Sequence, residues 1–169
     1  RIGSSEDRIR HRLATEHTID RVDERDIETA HGPFRLVTYR DRLSRELHFA
    51  LVRGTPTADT PTLVRVHVKN PLSDVLQWQR IDFSLRADEA IAQVADAGCG
   101  VVVVLAEPMS ADALLARVTE REGEAAKLTG WRRNGAGAQI LADLGLKHLR
   151  VIGTPRRQVG LAGYGLDVV

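Results

Sequence analysis

The chain holds 169 residues with 24 basic against 23 acidic side chains, a net charge of +1. That length suits one domain with a short appendage, and the balanced charge gives no case for nucleic acid or a membrane as partner. One cysteine excludes an internal disulfide and suits a reducing cytoplasm, sparse aromatics exclude a base-stacking surface, and the longest apolar run, Val101 to Ala106, is too short to cross a bilayer.

Opening at Arg1 without a methionine, the chain reads as a piece of a longer protein, and it shows no signal-peptide pattern. Residues 1 to 25 are dense in both charge signs. Ile9, Leu13, Ile19 and Val22 make a weak helical stripe, so a solvated helix or linker is expected there. His31-Gly32-Pro33 signals a turn. Phe34 to Arg40 and Leu47 to Arg53 alternate around the polar stretch Asp41 to Glu46 and predict a hairpin. Gly54 to Pro61 is a loop rich in Thr and Pro.

Thr62 to Val68 alternates again, with Val64, Val66 and Val68 on one face and Leu63, Arg65 and His67 on the other. A strand face carrying two basic side chains is rarely pure core, because a buried charge must be paired. Asn70-Pro71 stops the strand. Ser84 is placed to cap a helix running to Ala97, with Ala87, Ile91, Val94 and Ala95 on one face, Glu89 in its early turns and Gly98 as its C-cap. Cys99 then reads as an inert core thiol. Gly100 to Ala106 is continuously apolar, as a strand buried on both faces is.

Ser110 predicts the N-cap of a helix through Arg121, with Leu114, Leu115 and Val118 facing inward and Gly123 closing it. Gly137 to Leu144 reads as a helix stopped by Gly145, and His148 to Ile152 as a strand. Thr154 and Pro155 suit the cap and first position of a helix whose Arg156 and Arg157 either bind an anion or are simply solvated. Leu166 to Val169 reads as a closing strand. The six histidines, His11, His17, His31, His48, His67 and His148, are scattered singly, with no ligand spacing among them. The order of elements predicts an α/β (α+β) domain: a mixed sheet with flanking helices and an N-terminal hairpin.

Arg65 to Glu89, RVHVKNPLSDVLQWQRIDFSLRADE, resembles the GTP cyclohydrolase II motif RVHSECLTGDxxxSxRCDCGxQL. Laid on it without a gap, Arg65, Val66, His67, Leu72, Asp74, Arg80, Asp82 and Leu85, or a near neighbour, stay in register. The hairpin HGPFRLVTYRDRLSRELHFALVRG and the helix GAQILADLG are similar to the family as well. The resemblance implies that family's fold over residues 21–169. In active members three cysteines bind a zinc that activates water to open the purine imidazole ring. Those positions fall here on Asn70, Ile81 and Phe83, and the glutamate before the first cysteine falls on Lys69. Ile and Phe carry no donor atom, whereas a catalytic zinc needs three protein ligands.

Where active members read EGRGIGL, a phosphate cradle, this chain reads Glu107-Pro108-Met109-Ser110-Ala111-Asp112-Ala113 and lacks the glycines that permit close backbone approach. The segment holding the family's tyrosine, aspartate and arginine is shorter here. Arg132 falls at the arginine and Gly130 at the aspartate. Residues 5–22 resemble the junction that joins dihydroxybutanone phosphate synthase to GTP cyclohydrolase II, which implies that residues 1–20 are a linker or helix from that preceding domain. The expectation is a catalytically inactive GTP cyclohydrolase II-like domain, without cofactor or metal. It would support or regulate the fused synthase, in a homodimer, with no nucleic-acid or membrane partner. A second reading is a module that binds a nucleotide or phosphate ligand through Arg65, His67, Lys69, Arg132, Thr154 and Arg157. A third is an active GTP cyclohydrolase II, and a fourth a new chemistry, for which no nucleophile–base pair is in sight.

Overall fold

The computed structural model describes residues 17–80, 83, 85–120, 130–153 and 162–169, and leaves aside the side chains of 130–134 and 162. Seven strands form one mixed sheet: β1 (Ile19–Thr29), β2 (Gly32–Asp41), β3 (Leu47–Arg53), β4 (Thr62–Val68), β5 (Gly100–Leu105), β6 (His148–Val151) and β7 (Asp167–Val168). Their spatial order is β1-β2-β3-β5-β4-β6-β7. β1, β2 and β3 make an antiparallel meander, and β3 also pairs antiparallel with β5. From β5 onward the pairing is parallel, β5 to β4, β4 to β6 and β6 to β7. Among the described residues four α-helices accompany the sheet: α1 (Pro71–Asp74), α2 (Ala87–Ala97), α3 (Ala111–Thr119) and α4 (Gly130–Asp143).

β5 sits at the centre, and its valines explain why. Val101, Val102 and Val103 are all fully buried, pointing alternately to the two faces. On one face Val101 and Val103 join Tyr39, Ala50 and Val64 under Ile140 and Leu141 of α4. On the other, Val102 joins Phe34 and Leu51 under Ala90 and Val94 of α2. Each buried valine contributes about 1.5–3 kcal/mol relative to exposure, so this strand anchors both layers. The alternation expected for Thr62 to Val68 is realised: Val64, Val66 and Val68 lie in the α4 layer and Leu63 in the α2 layer. Gly98 ends α2 in the left-handed region at φ 80°, as its cap position requires.

Several expectations are corrected. Ile19 and Val22 belong to a strand, not to a helical stripe; β1 pairs with β2 from Ile19 against Asp41 to Thr29 against Gly32, with a bulge between Arg21 and Asp23. As an edge strand crowded with charge, β1 buries little and shows almost no apolar alternation, while its charges discourage pairing with another chain. The second helix starts at Ala87, not Ser84, and Arg86 at its cap position makes no side-chain capping bond. Leu115 and Val118 of α3 are exposed rather than inward, and Leu114 is only half-buried. Cys99 is exposed, not a core thiol. The helix ending at Asp143 begins at Gly130, about two turns earlier than Gly137. Arg121, Gly123 and residues 154–157 lie outside the described residues.

The meander is tied to α4 by polar contacts. Gln139 Oε1 accepts from the backbone N–H of Thr18 at 2.7 Å and of Ile19 at 3.2 Å, while its Nε2 donates to Thr18 Oγ1 at 2.9 Å. The Tyr39 hydroxyl donates to Asp143 Oδ2 at 2.7 Å, and Arg21 Nε donates to the same oxygen at 2.9 Å. Tyr39→Phe removes one of these bonds without opening a cavity and is expected to cost about 1 kcal/mol, measured as a shift of the urea midpoint at unchanged slope. Among the described residues no helix is long and apolar enough to cross a membrane.

Candidate functional site

β4, β5 and β6 run parallel, and ligands of open α/β sheets bind beyond the carboxyl ends of such strands. β4 carries Arg65 and His67 toward that edge. His67 is 2% exposed, and its Nε2 lies 2.7 Å from Asp74 Oδ2. Its Nδ1 is buried and has no hydrogen-bond partner among the described residues.

Asp74 closes the segment after β4. Asn70 stops the strand and caps α1, its Oδ1 accepting from Leu72 N–H at 3.1 Å with Pro71 at the first helical position. The single turn of α1 then brings Asp74 back to its own start. Oδ2 accepts from Asn70 N–H at 3.0 Å as well as facing His67, and Oδ1 accepts from Ala87 N–H at 3.0 Å. The carboxylate thus does at the start of α2 what Ser84 was expected to do, from thirteen positions upstream. Burial pushes the Asp74 carboxyl up, but the bonds from Asn70 N–H, His67 and Ala87 N–H outweigh it and hold the group below the usual carboxylate range.

A second histidine–carboxylate pair stands at the same edge. His48, 3% exposed, accepts from Ala106 N–H through Nδ1 at 2.9 Å and faces Asp41 Oδ2 through Nε2 at 3.3 Å. The backbone donor at Nδ1 places the ring proton on Nε2. Both nitrogens are thereby engaged, which makes His48 a satisfied core histidine. Asp41 is pushed up by burial and more strongly held down by His48 and the Leu43 and Ser44 N–H groups.

Arg65 is half-buried and donates from Nη1 to Ile152 O at 3.2 Å. A Cβ on Gly153 would stand 2.7 Å from that nitrogen, and Gly153 has φ 99°. Glycine here admits both the turn and the guanidinium. Lys69 is exposed, and its N–H donates to Leu105 O. Of the candidate set, Arg65 and His67 share one face of β4. The Arg132 side chain, Thr154 and Arg157 lie outside the described residues.

Sequence reasoning missed the cluster around Arg80. This arginine is 7% exposed, with its guanidinium 5.1 Å from the Trp78 ring and 5.0 Å from the Phe83 ring. The rings meet edge to face at 5.8 Å, and Arg80 Nη1 donates to Arg117 O at 3.2 Å. Such contacts stabilise a desolvated guanidinium by about 2 kcal/mol each. An open groove of about 330 Å³ lies here, lined by Ser73, Trp78, Arg80, Phe83, Arg86 and Glu89 among others. The signal was present in the register of Asp74 and Arg80 with the family motif. Of the three motif cysteine positions, Asn70 caps α1, Phe83 packs on Arg80, and Ile81 lies outside the described residues. Among the described residues no three His, Cys, Asp or Glu side chains come together as a metal site.

The family model for GTP cyclohydrolase II matches residues 20–169. The chain belongs to the GTP cyclohydrolase II family. Its relatives within and around that family carry a second name. A 3,4-dihydroxy-2-butanone 4-phosphate synthase of Pseudomonas syringae pv. tomato is 44% identical over 177 residues, covering 100% of this chain and 47% of the relative. The riboflavin biosynthesis protein RibBA of Bacillus cereus is 35% identical over 177 residues, covering 97% of this chain and 45% of the relative. The crystal structure of RibBX, a two domain 3,4-dihydroxy-2-butanone 4-phosphate synthase from A. baumannii, superposes with a TM-score of 0.66 at 29% identity, over 96% of this chain and 43% of that one. The mixed sheet with helices on both faces is therefore the GTP cyclohydrolase II-like fold, in riboflavin biosynthesis proteins. The chain spans about half the length of the curated relatives it matches.

Proposed function

We propose that this chain is a GTP cyclohydrolase II-like domain that has given up ring opening and instead supports or regulates a dihydroxybutanone phosphate synthase fused ahead of it. The observation that carries the reading is the Arg80 cluster. One motif position that holds a cysteine ligand in active members holds an aromatic ring here, Phe83, and it packs with Trp78 on the buried guanidinium. The family's zinc does not fit these residues. Asn70 Oδ1 is engaged in its cap, Phe83 offers no donor atom, and the nearby imidazole of His67 already faces Asp74. Without a metal to lower its pKa, water stays a poor nucleophile at neutral pH.

The names of the relatives support the partner, because proteins named as synthases and about twice this length match the chain along its whole length. The reading carries with it a homodimer in the cytoplasm, and the single cysteine suits that compartment. Three measurements test it. Elemental analysis should find zinc well below one equivalent, GTP should release no formate, and removing residues 1–169 from the full-length protein should lower synthase activity. Stoichiometric zinc with formate release overturns the inactivity, and unchanged synthase activity overturns the supporting role.

One observation favours a ligand-binding reading as well. Arg65 brings a cation to the carboxyl end of β6, against Gly153. Calorimetry with GTP, GMP and flavins at millimolar concentration decides it, and an absence of heat removes it.

A further inference from the structure

α3 is a nine-residue helix that buries none of its residues. A helix of that length is marginal in water, and most helical stability in proteins comes from packing an apolar face. What holds α3 among the described residues is polar: Ser110 Oγ accepts from Ala113 N–H at 3.1 Å, Arg80 donates to the carbonyl of Arg117, and Arg117 faces Glu107 at 3.9 Å. Its stripe of Ala111, Leu115 and Val118, spaced for one helical face, stays open, with Leu115 59% exposed. Val75, 74% exposed, and Leu76, 68% exposed, follow α1 just before Trp78, whose ring Arg80 joins to α3. Arg80 links the two segments, and exposed apolar groups on linked segments mark an interaction surface.

The register of the sheet shows which edge carries that surface. Ile19 lies opposite Asp41, Arg40 opposite Leu47, Phe49 opposite Val104, and Leu105 opposite Val68. The chain therefore enters at the same edge from which β4 leads to α1 and β5 leads to α3. The entry is fixed there: Thr18 is held by Gln139, and Arg42 donates to the carbonyls of Thr18 and His17. The relatives contain about as much protein again as this chain. Whatever precedes His17 is tethered beside an open apolar face.

We propose that this face, Ala111, Leu115 and Val118 of α3 with Val75, Leu76 and Trp78, is the seat of the synthase half that precedes the chain. The inference rests on the reading that such a half is fused ahead, and it names the contact through which support would act. The test uses the full-length protein with benzoylphenylalanine in place of Leu115, and in place of Glu28 at the far end of β1 as a control. Irradiation should join position 115, and not position 28, to peptides of the synthase half. In the same protein, Leu115→Glu with Val118→Glu places charges in the contact. Trypsin cleavage ahead of His17 should then rise about tenfold, the equivalent of about 1.4 kcal/mol. Adducts between two copies of residues 17–169, or no adduct above the control, overturn the proposal. Adducts to the synthase half in a protein whose synthase does not need residues 1–169 leave the docking in place and remove the supporting role. Lost activity without adducts does the reverse.

Discussion

Asp74→Ala is expected to lower the unfolding free energy by about 3 kcal/mol, because one carboxylate holds three groups from three segments. Its removal leaves the His67 imidazole, the Asn70 N–H and the Ala87 N–H without their acceptor, all of them part-buried. For a domain of this size that loss is roughly 6–12 °C in Tm. The effect has a pH signature. The folded carboxyl titrates below its unfolded value, so its contribution is fully present above the unfolded pKa of about 3.9 and is lost as pH falls through the lower folded value. Wild type and variant should therefore differ most near neutrality and converge in acid. Thermal melts between pH 3 and 7 read this directly. A Tm within a degree of wild type at pH 7 would mean that the three donors find other partners, and that Asp74 does not organise the segment.

Gly100→Ala should be at least as damaging, by a different route. A Cβ there would stand 2.6 Å from Leu63 O and 3.1 Å from Val94 Cγ1. Neither neighbour can yield easily: Leu63 belongs to β4, the parallel partner of β5, and Val94 is a fully buried residue of α2 packed on the sheet. Overpacking of this kind costs about 3 kcal/mol or more where backbone must move. Gly145→Ala provides the contrast. Gly145 has φ 81° but nothing within 4 Å of a Cβ, so only the left-handed strain of about 1 kcal/mol remains. Urea unfolding of the two variants side by side should rank Gly100→Ala the less stable. Equal midpoints would place the cost in backbone conformation rather than in the approach of β4 to β5.

The hairpin, β4, β5 and the caps at Gly98 and Ser110 were legible because each carries a local signal: alternation, an unbroken apolar run, or a residue suited to one backbone state. β1 was not, because its stability comes from pairing and from Gln139 and Asp143 of α4, partners more than a hundred residues away. The start of α2 misled for a related reason. Ser84 has the right chemistry for a cap, but the bond to Ala87 N–H comes from Asp74, and no spacing rule connects a helix to an acid thirteen residues before it. In the site, Arg65 and His67 were located correctly on one strand face. Their pairings were not legible, since Ile152 and Asp74 reach them only through the sheet and through the single turn of α1. α3 misled most usefully. Its apolar stripe predicted burial, and the stripe exists, but nothing in the described residues covers it.

The insertion of β5 between β3 and β4 sets a constraint on how the chain acquires its shape. β1, β2 and β3 are neighbours in sequence and can zip together as they leave the ribosome. β4 follows at once but has no partner among them, because β3 bonds to β5 and β4 reaches the meander only through it. Until Gly100–Leu105 has been synthesised, the inner edge of Phe49-Ala50-Leu51-Val52 stays open, with its backbone donors and acceptors unpaired. An open apolar edge is a template for the wrong strand. The helix α2, emerging between β4 and β5, covers Leu51 in the finished molecule. The order of synthesis thus places the helix that shields this edge's outer face just ahead of the strand that closes it.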